Sequence, residues 1–313
     1  MNAFLSKLID RWIIRLAAAH MPRTNGLKLH LDEANQLLRA PDFFCDFVTA
    51  PKDFKPDGET FQFTSSIATP WQENNIVHGK IFSCGENWQS RPVVILLHGW
   101  NDELNYRFRF PRLAHALNRY GINCATLELP YHFRRRPREA GAVRNFFSQD
   151  MLRTVEATRQ AVADIRALRH WLGAQGCARV GVWGISLGAW LGGLLACHEP
   201  KINFAVLMMP VARTDRCVEE LKFCEPIRQS LQGATADTKK FNLIEHRPLV
   251  PKENILLVEA EHDLFVPKET VEELWRDWNE PEIWRLPHGH ISILLSSRVM
   301  KRAVEWIVAK TGN

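Results

Sequence analysis

From residue 91 to the end of the chain, short apolar runs alternate with segments of helical periodicity. The runs are RPVVILLHG (91–99), INCATLEL (122–129), ARVGVW (178–183), NFAVLMM (203–209), NILLVEA (254–260) and EIWRLP (282–287). Helical segments follow at about 108–120, 145–173, 187–198, from Lys268, and from Ile291 to Lys310. Continuous apolar runs suit strands buried on both faces. Strands alternating with helices build βαβ units, hence an α/β fold with a mostly parallel twisted sheet covered by helices on both faces. Right-handed crossovers set the carboxyl ends of the parallel strands along one edge, where open α/β sheets place their sites. Upstream, FQFTSS (61–66) and NIVHGKIFSC (75–84) read as an opening hairpin. The expected organisation is an N-terminal helix and wrapped arm at 1–60, a main domain at 61–313, and a small cap insert at 211–250.

Several function classes drop out on composition. No stretch supplies the roughly 18 uninterrupted apolar residues of a membrane-spanning helix. The net charge of +5 over 313 residues is mild and scattered, and neither zinc-ligand spacing nor a basic stripe with interleaved aromatics points to nucleic acid. The seven cysteines include no CxxC pair, which argues for buried reduced thiols and a cytoplasmic setting rather than for a redox or metal site. With no glycine-rich phosphate loop or dinucleotide fingerprint, no cofactor is expected.

The N-terminus reads differently from a targeting segment. Asp10, Arg11 and Arg15 interrupt each apolar run, so no secretory signal is expected. Phe4, Leu5, Leu8, Trp12, Ile13 and Leu16 instead recur at helical spacing, with Lys7, Arg11 and Arg15 among the polar positions. Such a helix packs on the domain or on a second copy of the chain, or lies at a membrane surface.

The chemistry gathers just beyond strand ends. Ser186 stands between Gly184 and Gly188 in GISLG, between an apolar run and a helical one. A serine on a tight strand-to-helix turn needs small neighbours, and the helix start offers backbone N–H groups to a developing oxyanion. A serine nucleophile also needs a base, and the base a partner that holds its tautomer. Asp263 follows the run NILLVEA, and His288 and His290 follow EIWRLP, giving the chain order Ser186, Asp263, His290.

From about residue 75 onward the chain resembles the α/β-hydrolase superfamily. His98-Gly99-Trp100 resembles that family's H-G motif after its third strand. The match implies an oxyanion hole formed by the backbone N–H groups of Trp100 and Leu187. Asp263 precedes Val266-Pro267, where the family's acid sits. Ala260 stands where a glycine is frequent, which leaves Glu259 and Glu261 as alternatives. Gly289-His290 matches the family's G-H and favours His290 over His288. The stretch LPYHFRRRPREAG (129–141) departs from the usual small loop and resembles a less-characterised branch with a Pro-Tyr…Arg-Arg-Pro sequence. Arg134, Arg135 and Arg136, with Arg138, either bind a substrate anion or clamp the protein's own acids. A metal site built from His98, His132, His288 and His290 lacks supporting ligand spacing.

The expected function is a serine hydrolase that cleaves a small-molecule or lipid ester through an acyl-enzyme. The alternatives are a lipid hydrolase or acyltransferase peripheral to a membrane and a non-catalytic binding protein on the same fold. The acyl chain preference and the natural substrate are not written in these motifs.

Overall fold

The computed structural model describes residues 2–19, 30–44, 49–139, 146–231 and 238–312. Among these residues one sheet contains nine strands: β1 (Lys55–Asp57), β2 (Thr60–Thr64), β3 (Ile76–Phe82), β4 (Val93–Leu97), β5 (Asn123–Leu127), β6 (Val180–Ile185), β7 (Phe204–Met208), β8 (Ile255–Ala260) and β9 (Glu282–Leu286). Their order is β1-β2-β3-β5-β4-β6-β7-β8-β9. The hairpin end is antiparallel through the β3–β5 pair, and every pair from β5 to β9 is parallel. The α/β fold is thus the one the alternation implies.

The helices are α1 (Ala3–Ala19), α2 (Leu31–Arg39), α3 (Gln72–Asn75), α4 (Phe110–Asn118), α5 (Met151–Ala174), α6 (Leu187–His198), α7 (Thr214–Glu220), α8 (Glu225–Ser230), α9 (Lys268–Asp277) and α10 (Ser297–Thr311). Successive strand side chains point to opposite faces, and the central strands supply two cores accordingly. Val93, Ile95 and Leu97 of β4 join Val180 and Val182 of β6 beneath α5, α6 and α9. Val94 and Leu96 join Trp183 and Ile185 on the opposite face, beneath α4 and α10. All five residues of β4 are buried, which is why that strand carries no polar alternation.

Local chemistry shifts some boundaries. α5 starts at Met151 rather than near 145, because the Asp150 side chain accepts the N–H of Leu152 at 3.2 Å; residues 140–145 lie outside the described residues. α10 begins at Ser297, with Ser296 accepting the N–H of Val299, and residues 291–296 pass through a short 3₁₀ turn (Ser292–Leu295) instead. The arm at 20–60 is less irregular than its Pro, Asp and Phe content suggests. It contains α2 and β1, and Ala34, Leu38, Phe43 and Phe44 enter the first core. Six described cysteines are free thiols; Cys45 lies outside the described residues.

α1 forms where the spacing places it, but with its apolar stripe turned outward. Phe4, Leu5, Leu8, Trp12 and Leu16 are exposed, while Ser6 and Asp10 are fully buried against the main domain. A stripe at helical spacing identifies an amphipathic helix and says nothing of which way it faces. Between β7 and β8 the chain leaves the sheet for α7, α8 and a series of 3₁₀ turns. α1 packs between this segment, at Lys222–Cys224, and the turn Ser292–Leu295.

Candidate active site

Ser186 joins β6 to α6 with φ +53° and ψ −114°, a conformation costly for a residue with a Cβ and characteristic of over-determined functional turns. Its N–H donates to Met208 O and its carbonyl accepts from Trp190 N, both at 2.9 Å. The two flanking glycines are steric requirements. A Cβ on Gly184 would lie 2.2 Å from Gly188 O, and one on Gly188 would lie 2.2 Å from Leu97 O. The first turn of α6 is therefore pressed against the carboxyl end of β4. Leu187 is the first residue of α6, so its N–H has no acceptor within the helix. Trp100 stands in the loop directly beyond β4.

In that loop His98 is fully buried and neutral. Burial is the main cause of a pKa pushed down to about 4. His98 Nε2 accepts the N–H of Leu129 at 3.1 Å, which leaves Nδ1 to donate to Gly99 O at 2.8 Å. The imidazole thus pins the backbone that carries Trp100 to the loop after β5. His132, also fully buried, has its pKa held well below 6.5 by burial and then by His98. Among the described residues no group of three or more potential ligands is arranged to hold a metal.

The loops after β8 and β9 bring Asp263 and His290 together. His290 Nδ1 lies 2.6 Å from Asp263 Oδ2. Asp263 Oδ1 accepts the N–H groups of Phe265 and Val266 at 2.7 and 2.9 Å, and the Phe265 ring packs 4.7 Å from the imidazole. Burial, the strongest single influence on His290, disfavours its charged form. The charge and hydrogen bond of Asp263, with the charges of Asp10 and Asp102, outweigh burial and raise the pKa above 6.5. The other candidates stand elsewhere. Glu259 lies on β8 with its pKa pushed up to about 7, first by burial and then by Glu272. His288 is bound through its backbone to Leu286 and His262.

The arginine loop is mostly turned to the protein itself. Arg135 is fully buried and pairs with Asp164 at 2.8 Å. Its other N–H groups donate to the carbonyls of Asn74 and Glu128 at 2.7–3.0 Å. The expectation that Arg135 contacts substrate is therefore corrected: it has no surface to offer. Arg134 holds the buried Glu128 at 2.7 Å, so it too clamps an internal acid. Arg136 donates to Asn101 Oδ1 at 2.6 Å and so braces the loop that follows Trp100. Arg138 is exposed, 3.9 Å from Glu73.

Two further carboxylates lie near His290 that no sequence motif marks as site residues. Asp102 accepts the N–H and the side-chain amide of Asn105, within the loop after β4. Asp10 comes from α1, where the sequence marks it as a charge interrupting an apolar run and as a polar pair with Ser6 at i, i+4, opposite the apolar stripe, but not as a site residue.

Comparison with known proteins adds three findings. A family model described as alpha/beta hydrolase domain containing 18 matches residues 68–230, just over half of the chain. The matched stretch includes His98, Arg134–Arg136 and Ser186 and ends before Asp263. Uncharacterized proteins of two Mycobacterium tuberculosis strains are 31% identical over 237 residues, covering 72% of this chain and 55% of theirs. The chain thus spans about half the length of these curated relatives. Among solved structures, acetyl xylan esterase 1 from Thermoanaerobacterium aligns with a TM-score of 0.59 at 16% identity, over 95% of this chain and 98% of that one. The Pyrococcus furiosus esterase Pf2001 aligns at 0.55 and 17% identity, over 93% and 99%. At these identities the structures share the fold.

Proposed function

The chain belongs to the alpha/beta hydrolase domain containing 18 family, and from that premise we propose that it is a serine hydrolase cleaving carboxylic esters through an acyl-enzyme. The observation that carries this reading is the 2.6 Å His290–Asp263 contact, on the same sheet edge as a serine held at positive φ. The proton on His290 Nδ1 is donated to Asp263, so Nε2 keeps the lone pair a base requires. Ser186 Oγ attacks the ester carbonyl as its proton passes to Nε2. The tetrahedral oxyanion is met by the N–H groups of Leu187 and Trp100, each donor worth about 3–4 kcal/mol of barrier in comparable sites. His290 then returns the proton to the leaving alcohol, and water repeats the sequence to release the acid. An alcohol in place of water would give acyl transfer by the same steps. The structural neighbours, an esterase and an acetyl xylan esterase, support an ester as the bond cleaved.

The pH dependence of kcat/KM tests this reading. A protonated His290 cannot accept the serine proton, so the rate falls as pH drops through the His290 pKa. Because that pKa is raised above 6.5, the acid limb on a chromogenic acyl ester should have its midpoint above pH 6.5. A flat profile between pH 5 and 8, with turnover intact, would remove His290 as the base.

The outward stripe of α1 favours a more particular substrate source, an ester presented at a lipid surface. Phe4, Leu8 and Trp12 are 72%, 49% and 61% exposed, and Arg11 and Arg15 lie exposed on the same helix. Leu104 and Phe108, in the helical turns between β4 and α4, and Leu295, in the 3₁₀ turn after β9, are exposed as well. Apolar side chains with flanking cations suit an anionic interface. The protein should co-float with vesicles containing anionic lipid and lose that binding in Trp12→Glu. A stable dimer in solution that Trp12→Glu dissociates would assign the stripe to self-association instead.

A further inference from the structure

The side of α1 that faces inward reaches the residues read above as the catalytic acid and base. Asp10 is fully buried, and its carboxylate meets two separate loops. Oδ2 accepts the N–H of Leu264 at 3.2 Å and the N–H of His290 at 2.9 Å; Oδ1 accepts the N–H of Ile291 at 3.1 Å. Leu264 directly follows Asp263. One oxygen therefore bridges the backbone of the acid loop and the backbone of the histidine itself. The approach is close enough that a Cβ on Gly289 would lie 2.8 Å from Asp10 Oδ2, so glycine at 289 is what lets the carboxylate in. Beside it, Ser6 Oγ lies 3.2 Å from Ser292 Oγ, which in turn accepts the N–H of Gly289 at 2.8 Å.

We propose that Asp10 is a positioning residue of the triad: it fixes the spacing of the acid and histidine loops and adds a further negative charge beside the imidazole. The proposal rests on the serine-hydrolase reading above. A neutral clip such as the Ser6–Ser292 contact would suffice to dock α1. A buried carboxylate is a costly choice for that purpose alone, because ionised groups resist desolvation unless donors meet them. Here three backbone N–H groups meet it, donors that favour the ionised carboxylate and offset part of the cost of burying it. The charge then has a use. His290 becomes an imidazolium when it takes the serine proton, and fixed negative charge nearby stabilises that state without reorganisation. The charged groups facing His290 are Asp263 from its own loop pair, Asp102 from the loop after β4, and Asp10 from α1. Burial, with a smaller push from the charge of Asp263, raises the Asp10 pKa above the usual carboxylate value, while the N–H groups of Ile291 and His290 and the charge on His290 act against it without cancelling it.

The test uses the full chain with Asp10→Asn, Asp10→Glu and Ser6→Ala. It reads kcat, KM and the acid limb on a chromogenic ester, with fluorophosphonate labelling of Ser186 in parallel. Asp10→Asn keeps the shape and removes the charge. It should lower kcat by about tenfold, the equivalent of one buried hydrogen bond lost where the amide NH2 replaces an acceptor oxygen, with little change in KM. Its acid limb should move to lower pH, because loss of a negative neighbour lowers the His290 pKa. Asp10→Glu retains the charge at a longer reach, so kcat should fall while the limb stays at the wild-type pH. It carries the test if the Asn variant does not fold. Ser6→Ala should match wild type in both readouts. Wild-type kcat and an unmoved limb in folded Asp10→Asn would overturn the proposal, as would equal losses in Ser6→Ala. Those results would leave the triad intact, since Ser186 would still label. Wild-type protein that neither turns over esters nor labels at Ser186 would sink the serine-hydrolase reading instead, and the Asp10 role with it.

Discussion

Replacing Ser186 by alanine should abolish ester turnover, by about 10⁴–10⁶-fold, while the protein stays folded. The two halves of that expectation have separate causes. The hydroxyl is the only atom group lost, and nothing else at this turn can form the acyl-enzyme. The turn itself is held by backbone bonds to Met208 and Trp190 and by the clearances that Gly184 and Gly188 provide, all of which alanine leaves in place. Alanine at φ +53° is strained no more than serine is, so the thermal midpoint should change by the equivalent of about 1 kcal/mol at most. Residual turnover near the wild-type rate would mean that another group is the nucleophile. A collapse of stability would mean that the hydroxyl holds the turn.

The largest stability loss should come from Arg135→Ala, and it should leave KM alone. Arg135 and Asp164 are both without solvent exposure and 2.8 Å apart. Asp164 sits on α5 and also accepts the Ser65 hydroxyl at 2.6 Å. The guanidinium ties the loop after β5 to Asn74 in α3 and, through Asp164, to α5. Removing it strands a carboxylate and two carbonyls in the interior. Breaking one side of such a pair costs about 3–5 kcal/mol, a large share of the ~5–15 kcal/mol that holds a typical domain together. The urea midpoint should fall accordingly at an unchanged m-value. Arg134→Ala should cost less, because its side chain is half exposed and the buried Glu128 keeps the backbone N–H of residue 134 as a donor at 3.0 Å. A raised KM for Arg135→Ala at unchanged stability would restore the substrate-binding role that burial denies it.

The contrast between these two residues shows what the chain displays openly and what it conceals. The central strands are legible because burial on both faces demands unbroken apolar runs, as in Val93–Leu97. The proposed triad of Ser186, Asp263 and His290 is legible because the chemistry proposed for it would impose local signatures: two glycines about a strained turn, an acid beyond one strand, a histidine beyond the next. The four arginines after β5 are alike in sequence, yet one is fully buried and another is largely exposed. That difference is set by Asp164, which lies 29 residues further along the chain. α1 was legible as a helix but not in its orientation, since the side it buries is decided by hydrogen bonds to residues more than 250 positions away. Asp10 escaped for the same reason. Its partners there are backbone N–H groups, and a backbone donor leaves no mark on the sequence that carries it.

The most direct measurement is covalent labelling with a fluorophosphonate probe, with the modified peptide located by mass spectrometry. An assembled triad should label at Ser186 in the wild-type protein and lose that label in His290→Ala, since the serine attacks phosphorus only when a base takes its proton. Folded wild-type protein that resists the probe, or that labels equally well without His290, would contradict a working Ser186–His290–Asp263 site.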